Sequence, residues 1–168
     1  MPQTSELVDI HATIAYIADE LRPRLTYRPI MIGIHTGGAW IASRLHALLD
    51  LPDALGTLDI SFYRDDFSRV GVNPTVKTSN LPVNVEGRHV ILVDDVLHTG
   101  RTIRAALNEI FDYGRPASVT LAVLLNRDGR ELPIEAQVVG HHVKLKKNQH
   151  IKLLGPEPLA LEIQEANP

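Results

Sequence analysis

The strongest constraint on the fold is the alternation of short apolar runs with helical stripes of apolar residues. The runs PIMIGIH (29–35), RHVILV (88–93) and SVTLAVLL (118–125) have the length of buried strands rather than of buried helices. Strands that alternate with helices of about a dozen residues are typical of a parallel sheet with helices on both faces. We therefore expect an α/β fold with a central, mostly parallel sheet.

Three helical stripes and two weaker strands complete the pattern. Apolar residues at helical spacing predict a first helix within residues 5–22, with Thr4 or Ser5 as its N-cap and Pro23 as its end. The other two stripes consist of Ile41, Leu45, Leu48 and Leu49, and of Ile103, Ala106, Leu107, Ile110 and Phe111 up to Gly114. The segments TLDISFY (57–63) and EAQVVG (135–140) predict further strands.

Length, charge and cysteine content exclude several classes of protein. A chain of 168 residues suits a single domain spanning 1–168. The net charge of −3 gives no global basic field, and the absence of cysteine excludes disulfides, thiolate zinc sites and cysteine nucleophiles. No apolar run approaches the roughly 20 residues that cross a bilayer, and the first residues lack a signal-peptide pattern. We expect a soluble cytoplasmic protein.

One long segment breaks every periodicity. Residues 64–87 contain proline, glycine, asparagine and several charges but no apolar repeat. An irregular stretch of this length inside a compact domain is usually a functional flap or a disordered tip.

Three polar motifs each follow a predicted strand. HTGG (35–38), YRDD (63–66) and DDVLHTGRT (94–102) stand where strands end. The carboxyl ends of parallel strands meet at one rim, and ligands of such sheets bind there. We therefore expect the three motifs to form one site.

The last motif has the composition of a phosphate-binding loop. Thr99–Thr102 form the turn into the third helix, where unpaired backbone N–H groups and a partial positive charge attract anions. Gly100 allows close approach, the two threonines add hydroxyl donors, and Arg101 adds positive charge. Neither a GxxxxGK[ST] loop nor a GxGxxG motif is present.

Asp94 and Asp95 precede this loop directly. Ionised carboxylates accept hydrogen bonds, and the vicinal hydroxyls of ribose are two donors at matching spacing. A sugar phosphate would supply both halves, and a magnesium ion would reduce the repulsion between the two carboxylates. The alternative is that paired aspartates merely end a strand and cap a helix.

The motifs around Asp94–Thr102 resemble those of a known protein family. An apolar strand, two acids and a TG-T loop resemble the signature of the type I phosphoribosyltransferases. Within them, DISFYRDD, VILVDDVLHTGRTIRAAL and GRELPIEAQVVG are similar to the pyrimidine-operon regulators that are also uracil phosphoribosyltransferases, over roughly residues 5–153. The resemblance implies the type I fold, a small hood near 126–153 with the N-terminal segment, a flexible loop near 64–87, magnesium-dependent chemistry, and homodimers or higher homo-oligomers.

The resemblance also implies a reaction and roles. Uracil and phosphoribosyl pyrophosphate (PRPP) would give UMP and diphosphate, with Asp94 and Asp95 as the catalytic pair that holds ribose and, through water, magnesium. The expected PRPP or nucleotide contacts are Thr36, Gly37, Gly38, Arg64, Asp94, Asp95, Val96, Leu97, His98, Thr99, Gly100, Arg101 and Thr102.

Other implied roles concern the base and the flap. Arg127 would lie near the base and Ile151 against its ring, while Arg69 and Lys77 are candidate phosphate partners in a flap over 67–82. Many relatives carry a basic residue at the position of Gly37, so a side-chain contact there is in doubt. We assign His98, where relatives often carry tyrosine, no acid–base role.

Relatives of this family also bind the messenger RNA of the pyrimidine operon and respond to UMP and UTP. Two basic clusters could serve RNA, although a solvated face explains each equally well. They are Arg22, Arg24 and Arg28, and Lys144, Lys146, Lys147 and Lys152; the neighbouring His141, His142 and His150 lack the partners of a metal site. The alternatives are an RNA-binding nucleotide sensor with little catalysis and a phosphoribosyltransferase for another base, such as hypoxanthine or guanine.

Overall fold

The computed structural model describes residues 3–4, 8–60 and 79–166. Within these ranges the α-helices are Ile10–Leu21 (α1), Gly37–Leu49 (α2) and Arg101–Tyr113 (α3), and a 3₁₀ helix spans Arg22–Tyr27. The strands are Gln3–Thr4 (β1), Ile30–Ile34 (β2), Gly56–Leu58 (β3), His89–Leu97 (β4), Ser118–Arg127 (β5), Val138–Val143 (β6), Gln149–Leu154 (β7) and Ala160–Glu165 (β8).

The central sheet has the order β3-β2-β4-β5-β6, and every neighbouring pair is parallel. Ile32 lies opposite Leu92, and Leu92 lies opposite Leu121. The connections from β2 to β3 and from β4 to β5 each contain a helix. The predicted α/β fold with a central parallel sheet is therefore confirmed.

Neighbouring residues of each central strand point to opposite faces of the sheet and are buried in two separate cores. Met31 and Ile91 pack in one core with α1 and α2, whereas Ile32 and Leu92 pack in the other with α3. All four side chains are 0–1% exposed. Burial of each such side chain is worth about 1.5–3 kcal/mol. Because both faces of the central sheet are buried, its strands appear in the sequence as continuous apolar runs.

The first helix begins later than predicted. Its N-cap is Asp9, whose Oδ1 accepts the backbone N–H of Ala12 at 3.0 Å. Thr4 cannot cap the helix because it lies in β1, opposite Glu162 of β8, and Ser5 lies outside the described residues. The carboxylate of Asp9 fulfils the capping role that the pattern predicts for a hydroxyl.

A second, antiparallel sheet has the order β1-β8-β7. No strand is predicted from the sequence beyond residue 140, and β8 lies beyond the predicted hood of residues 126–153. Leu153 and Leu161 of this sheet are buried in the same core as α1 and α2. The second sheet therefore packs into the core that lies on the α1 and α2 side of the central sheet.

The irregular segment is described only in its last part. Residues 61–78, which include the end of the predicted strand 57–63, lie outside the described residues. In the described part, Asn80 and Thr57 exchange two backbone hydrogen bonds of 2.8 Å.

None of the helices in the described ranges combines the length and apolar character needed to cross a membrane.

Candidate active site at the carboxyl ends of strands β2 and β4

Two polar loops leave neighbouring strands at the same edge of the sheet. β2 and β4 are paired in parallel, with Gly33 opposite Val93. The chain passes from β2 into α2 through His35 and Thr36, which are joined by a cis peptide bond, and from β4 into α3 through residues 98–100. The structure thus brings HTGG and DDVLHTGRT together.

The backbone fixes the carboxylates of Asp94 and Asp95 near the end of β4. The N–H of Asp95 donates to Oδ1 of Asp94, and the N–H of Val96 donates to Oδ1 of Asp95, both at 2.8 Å. Asp94 is 5% exposed and Asp95 is half-buried. Both side chains are therefore held as acceptors.

The N-terminus of α2 lies against the same two carboxylates. A Cβ added to Gly38 would lie 3.0 Å from Oδ1 of Asp94, and one added to Gly37 would lie 2.8 Å from Cγ of Asp95. The start of a helix carries partial positive charge, which stabilises anions within the first turn. α2 therefore offsets the repulsion between the neighbouring carboxylates.

This close approach requires Gly37 and Gly38, which form the first turn of α2 rather than the turn that the sequence predicts. A Cβ on Gly38 would also lie 2.7 Å from the carbonyl oxygen of Val93. A Cβ at the position of Gly37 would require the side chain of Asp95 to move. Without a basic side chain, the donors that this loop offers are its backbone N–H groups and the hydroxyl of the exposed Thr36.

The connection from β4 to α3, residues 98–100, is called the phosphate loop below; it contains Thr99 and Gly100 of the predicted phosphate-binding turn Thr99–Thr102, whereas Arg101 and Thr102 begin α3. Gly100 has φ of +93°, which favours glycine, and its carbonyl accepts the N–H of Arg104 at 3.0 Å. Oγ1 of Thr99 accepts the N–H of Arg101 at 3.2 Å. The first N–H groups of a helix lack intrahelical acceptors and bind anions. With half-buried Thr99 and Thr102 beside it, the start of α3 has the geometry of an anion site.

The side chain of Arg101 is directed to the connection between β5 and β6. Its Nε donates to Oε2 of Glu131 at 2.8 Å, and both side chains are 53% exposed. An exposed pair of this kind contributes about 0–1 kcal/mol.

The same connection covers the phosphate loop. The N–H groups of Glu131 and Leu132 donate to the carbonyl of Thr99 at 2.9 and 3.1 Å. No role is predicted from the sequence for Asn126, Arg130 or Glu131. The available signal was the charged run NRDGRE directly after a buried strand.

Arg127 ends β5 and reaches the second sheet. It is 8% exposed, its Nη1 donates to the carbonyl of Gln149 at 3.2 Å, and its Nε has no hydrogen-bond partner among the described residues. Ile151, two residues after Gln149 on β7, is half-buried against the first core. A buried donor without an acceptor is costly unless a ligand supplies one.

The surroundings of His98 lower the pKa of its imidazole. Burial lowers the pKa of His98 from its ordinary value of 6.5, and the charges of Arg127, His150 and Arg130 lower this pKa further, while Glu131 raises it. The ring lies against Gly129, where an added Cβ would be 2.8 Å from Nε2. The imidazole of His98 therefore packs at the loop.

Other predicted residues lie elsewhere. Arg64, Arg69 and Lys77 fall outside the described residues. Of the first basic cluster, Arg22 pairs with Asp19 at 3.0 Å, Arg24 is half-buried and Arg28 is exposed. The second cluster and its histidines are exposed: Lys144, Lys146, Lys147, Lys152, His141, His142 and His150.

Comparison with known proteins agrees with this fold. Residues 3–152 match the family model of the phosphoribosyl transferase domain. The fold is shared with a hypoxanthine phosphoribosyltransferase from Staphylococcus aureus, which is 26% identical with a TM-score of 0.60, over 79% of this chain and 74% of that one. These matches place the fold among the phosphoribosyltransferases.

Two curated relatives are much more similar in sequence. A bifunctional protein PyrR from Nitrosococcus oceani is 56% identical over 100% of this chain and 98% of the relative. Another from Pseudomonas syringae pv. tomato is 53% identical over 98% and 96%. The chain therefore belongs to the phosphoribosyltransferase family, and within it to the group of bifunctional PyrR proteins, which confirms the resemblance seen in the sequence.

Proposed function

We propose that the protein transfers the phosphoribosyl group of PRPP to uracil, giving UMP and diphosphate. The observation that carries this proposal is the position of Asp94 and Asp95 against the N-terminus of α2 at Gly37, on the strand that leads through residues 98–100 into the N-terminus of α3 at Arg101. PRPP has the matching order of groups: a diphosphate, a ribose diol and a 5′-phosphate. The diol would meet the carboxylates, and each phosphate end would meet a helix start.

In the proposed reaction the bond from C1′ to the diphosphate oxygen breaks, the bond from C1′ to N1 of uracil forms, and N1 loses its proton. The charge that develops on C1′ and on the leaving group makes positioning and electrostatic stabilisation the main tasks of the protein. Asp94 and Asp95 accept the ribose hydroxyls, and Thr36–Gly38 with Arg64 bind diphosphate. Thr99–Thr102 and the backbone of Val96, Leu97 and His98 bind the 5′-phosphate.

The donor set at this edge fits a magnesium ion. Mg²⁺ prefers oxygen ligands, keeps several waters, and is usually bound through one or two carboxylates together with substrate phosphates. Asp94 and Asp95 supply two carboxylates, and the described residues form no larger cluster of ligating side chains. These aspartates would hold the ion through water and only together with PRPP; when bound, it neutralises charge on the diphosphate.

Arg127 and Ile151 are proposed to select uracil. The Nε of Arg127, which has no hydrogen-bond partner in the described part of the chain, is a donor for a carbonyl oxygen of the base, and Ile151 offers an apolar surface to the ring. The Staphylococcus aureus relative is named for hypoxanthine, so a purine is the alternative base. The identity of 56% to a PyrR protein, against 26% to that enzyme, supports the pyrimidine.

We propose regulation of pyrimidine genes as a second function, through binding of operon messenger RNA in response to UMP or UTP by a homodimer or larger homo-oligomer. The word "bifunctional" in the names of the relatives supports it. The exposed lysines 144, 146, 147 and 152 could neutralise RNA phosphates. A sensor with little catalysis is the alternative.

The test offers uracil, hypoxanthine, guanine and orotate separately with PRPP and magnesium, and measures the nucleotide formed. We expect product with uracil alone. Turnover only with a purine would reassign the base, and no turnover with any base alongside UMP binding would favour the sensor.

The regulatory function is tested by a gel-shift against the leader RNA of the protein's own pyrimidine operon at about 0.15 M salt, with and without UMP. A scrambled RNA of equal length is the control. We expect a shift of the leader that UMP changes; without any leader-specific shift the protein would be an enzyme only.

A further inference from the structure

We propose that Arg130 is a positioning residue for the phosphate loop of residues 98–100, holding it in the shape that binds the 5′-phosphate without touching the ligand. The proposal rests on the function proposed above, because that reaction supplies one of its assays.

Arg130 joins the phosphate loop to the end of β5. Its Nη1 donates to the carbonyl of His98 in a short hydrogen bond, and its Nη2 donates to Oδ1 of Asn126 at 2.8 Å. Asn126 lies opposite Leu97 in the parallel pairing of β5 with β4. The half-buried guanidinium therefore ties the first residue after β4 to the neighbouring strand.

Neighbours of Arg130 hold the next two loop residues. The N–H groups of Glu131 and Leu132 donate to the carbonyl of Thr99 at 2.9 and 3.1 Å. Gly100 packs against Ile134, where an added Cβ would lie 3.1 Å from Cβ of the isoleucine. All three residues of the loop thus contact the connection between β5 and β6.

The held carbonyls determine where the N–H groups of the loop point. In a planar trans peptide the C=O of one residue and the N–H of the next point in opposite directions. Since Arg130 holds the carbonyl of His98 and Glu131 holds that of Thr99, the N–H groups of Thr99 and Gly100 turn away from this connection. Successive N–H groups oriented together form an anion-binding concavity. Arg130 therefore acts on the phosphate through the backbone.

The experiment compares Arg130→Ala and Arg130→Lys with wild type, and uses Arg115→Ala as the matched control because Arg115 is an exposed arginine after the far end of α3. Loss of a charge-assisted hydrogen bond to a carbonyl should raise KM for PRPP and Kd for UMP by about 10- to 100-fold in Arg130→Ala. Arg130→Lys, with one ammonium for two acceptors, should fall between. The control should match wild type.

A second readout separates positioning from a general loss of structure. In the reverse reaction, KM for diphosphate should not change in Arg130→Ala, since the diphosphate site lies at Thr36–Gly38, while KM for UMP should rise. Equal increases in both constants, or unchanged affinity for UMP and PRPP, would overturn the proposal. If Arg130→Ala does not fold, Arg130→Lys decides by the same criteria.

Failure of the proposed function has a different signature. Wild-type protein would then form no nucleotide from any base, and calorimetric UMP affinity of wild type and the Arg130 variants would decide the positioning role. Equal UMP affinity in wild type and the Arg130 variants, or no UMP affinity in wild type, would contradict the positioning role of Arg130.

Discussion

The contact between Gly38 and β4 gives a sharp prediction, because the atoms it involves belong to the backbone and cannot rotate away. In Gly38→Ala the new Cβ would lie 2.7 Å from the carbonyl oxygen of Val93 and 2.9 Å from Cα of Asp94. Overpacking of this kind costs about 1–3 kcal/mol. Alanine in a helix recovers about 0.5–1 kcal/mol relative to glycine, and less in the first turn. The cost of overpacking exceeds the gain in helix propensity, and we expect a net destabilisation of about 1–2 kcal/mol.

The assay is thermal unfolding together with turnover of PRPP and uracil. For a chain of this size the expected loss corresponds to a fall in Tm of about 2–8 °C. Turnover should fall more steeply than stability, because α2 can relieve the collision only by moving away from Asp94. Ser43→Ala, an exposed change on the same helix, is the control and should not lower either quantity. A Gly38→Ala protein as stable and active as wild type would refute the close approach of α2 to β4.

Two further predictions concern the carboxylates and His98. Asp94→Asn combined with Asp95→Asn should lower kcat/KM by about 100- to 10,000-fold, since two charge-assisted hydrogen bonds are lost, while the Tm stays near that of wild type; near-normal activity would contradict the ribose-binding role. The folded-state pKa of His98 lies below its ordinary value of 6.5, so the unfolded chain takes up the proton first as the pH falls. Stability of wild type relative to His98→Tyr should therefore be full above that value and decline as the pH is lowered through it. Urea unfolding of both proteins at about pH 7.5 and about pH 5.5 measures this difference, and parallel pH profiles would show the shift to be absent.

Each backbone segment of the proposed site is held in place by contacts with other parts of the chain. Gly37 and Gly38 are set by the packing of α2 on β4, and the loop at 98–100 is set by the connection after β5. A charged ligand would then find donors already oriented, which lowers the cost of ordering them on binding.

The sequence by itself determined the features that rest on contiguous residues. The central strands could be recognised because helices bury both of their faces, which makes the runs continuously apolar. α3 was predictable from its stripe and from Gly114 at its end. The placement of the acidic pair shortly before the start of α3 was predictable for the same reason, since Asp94 and Thr102 belong to one short stretch.

Only the tertiary structure decided the features that join distant residues. QHIKLL and ALEIQE carry too weak a pattern to be assigned alone, and they become strands because they pair with each other and with Gln3–Thr4. The bond from Arg130 to His98 spans 32 positions, and the contact of Gly38 with Asp94 spans more. Periodicity reports which face of a local element is buried, whereas the partner that covers this face is chosen by packing across the whole chain.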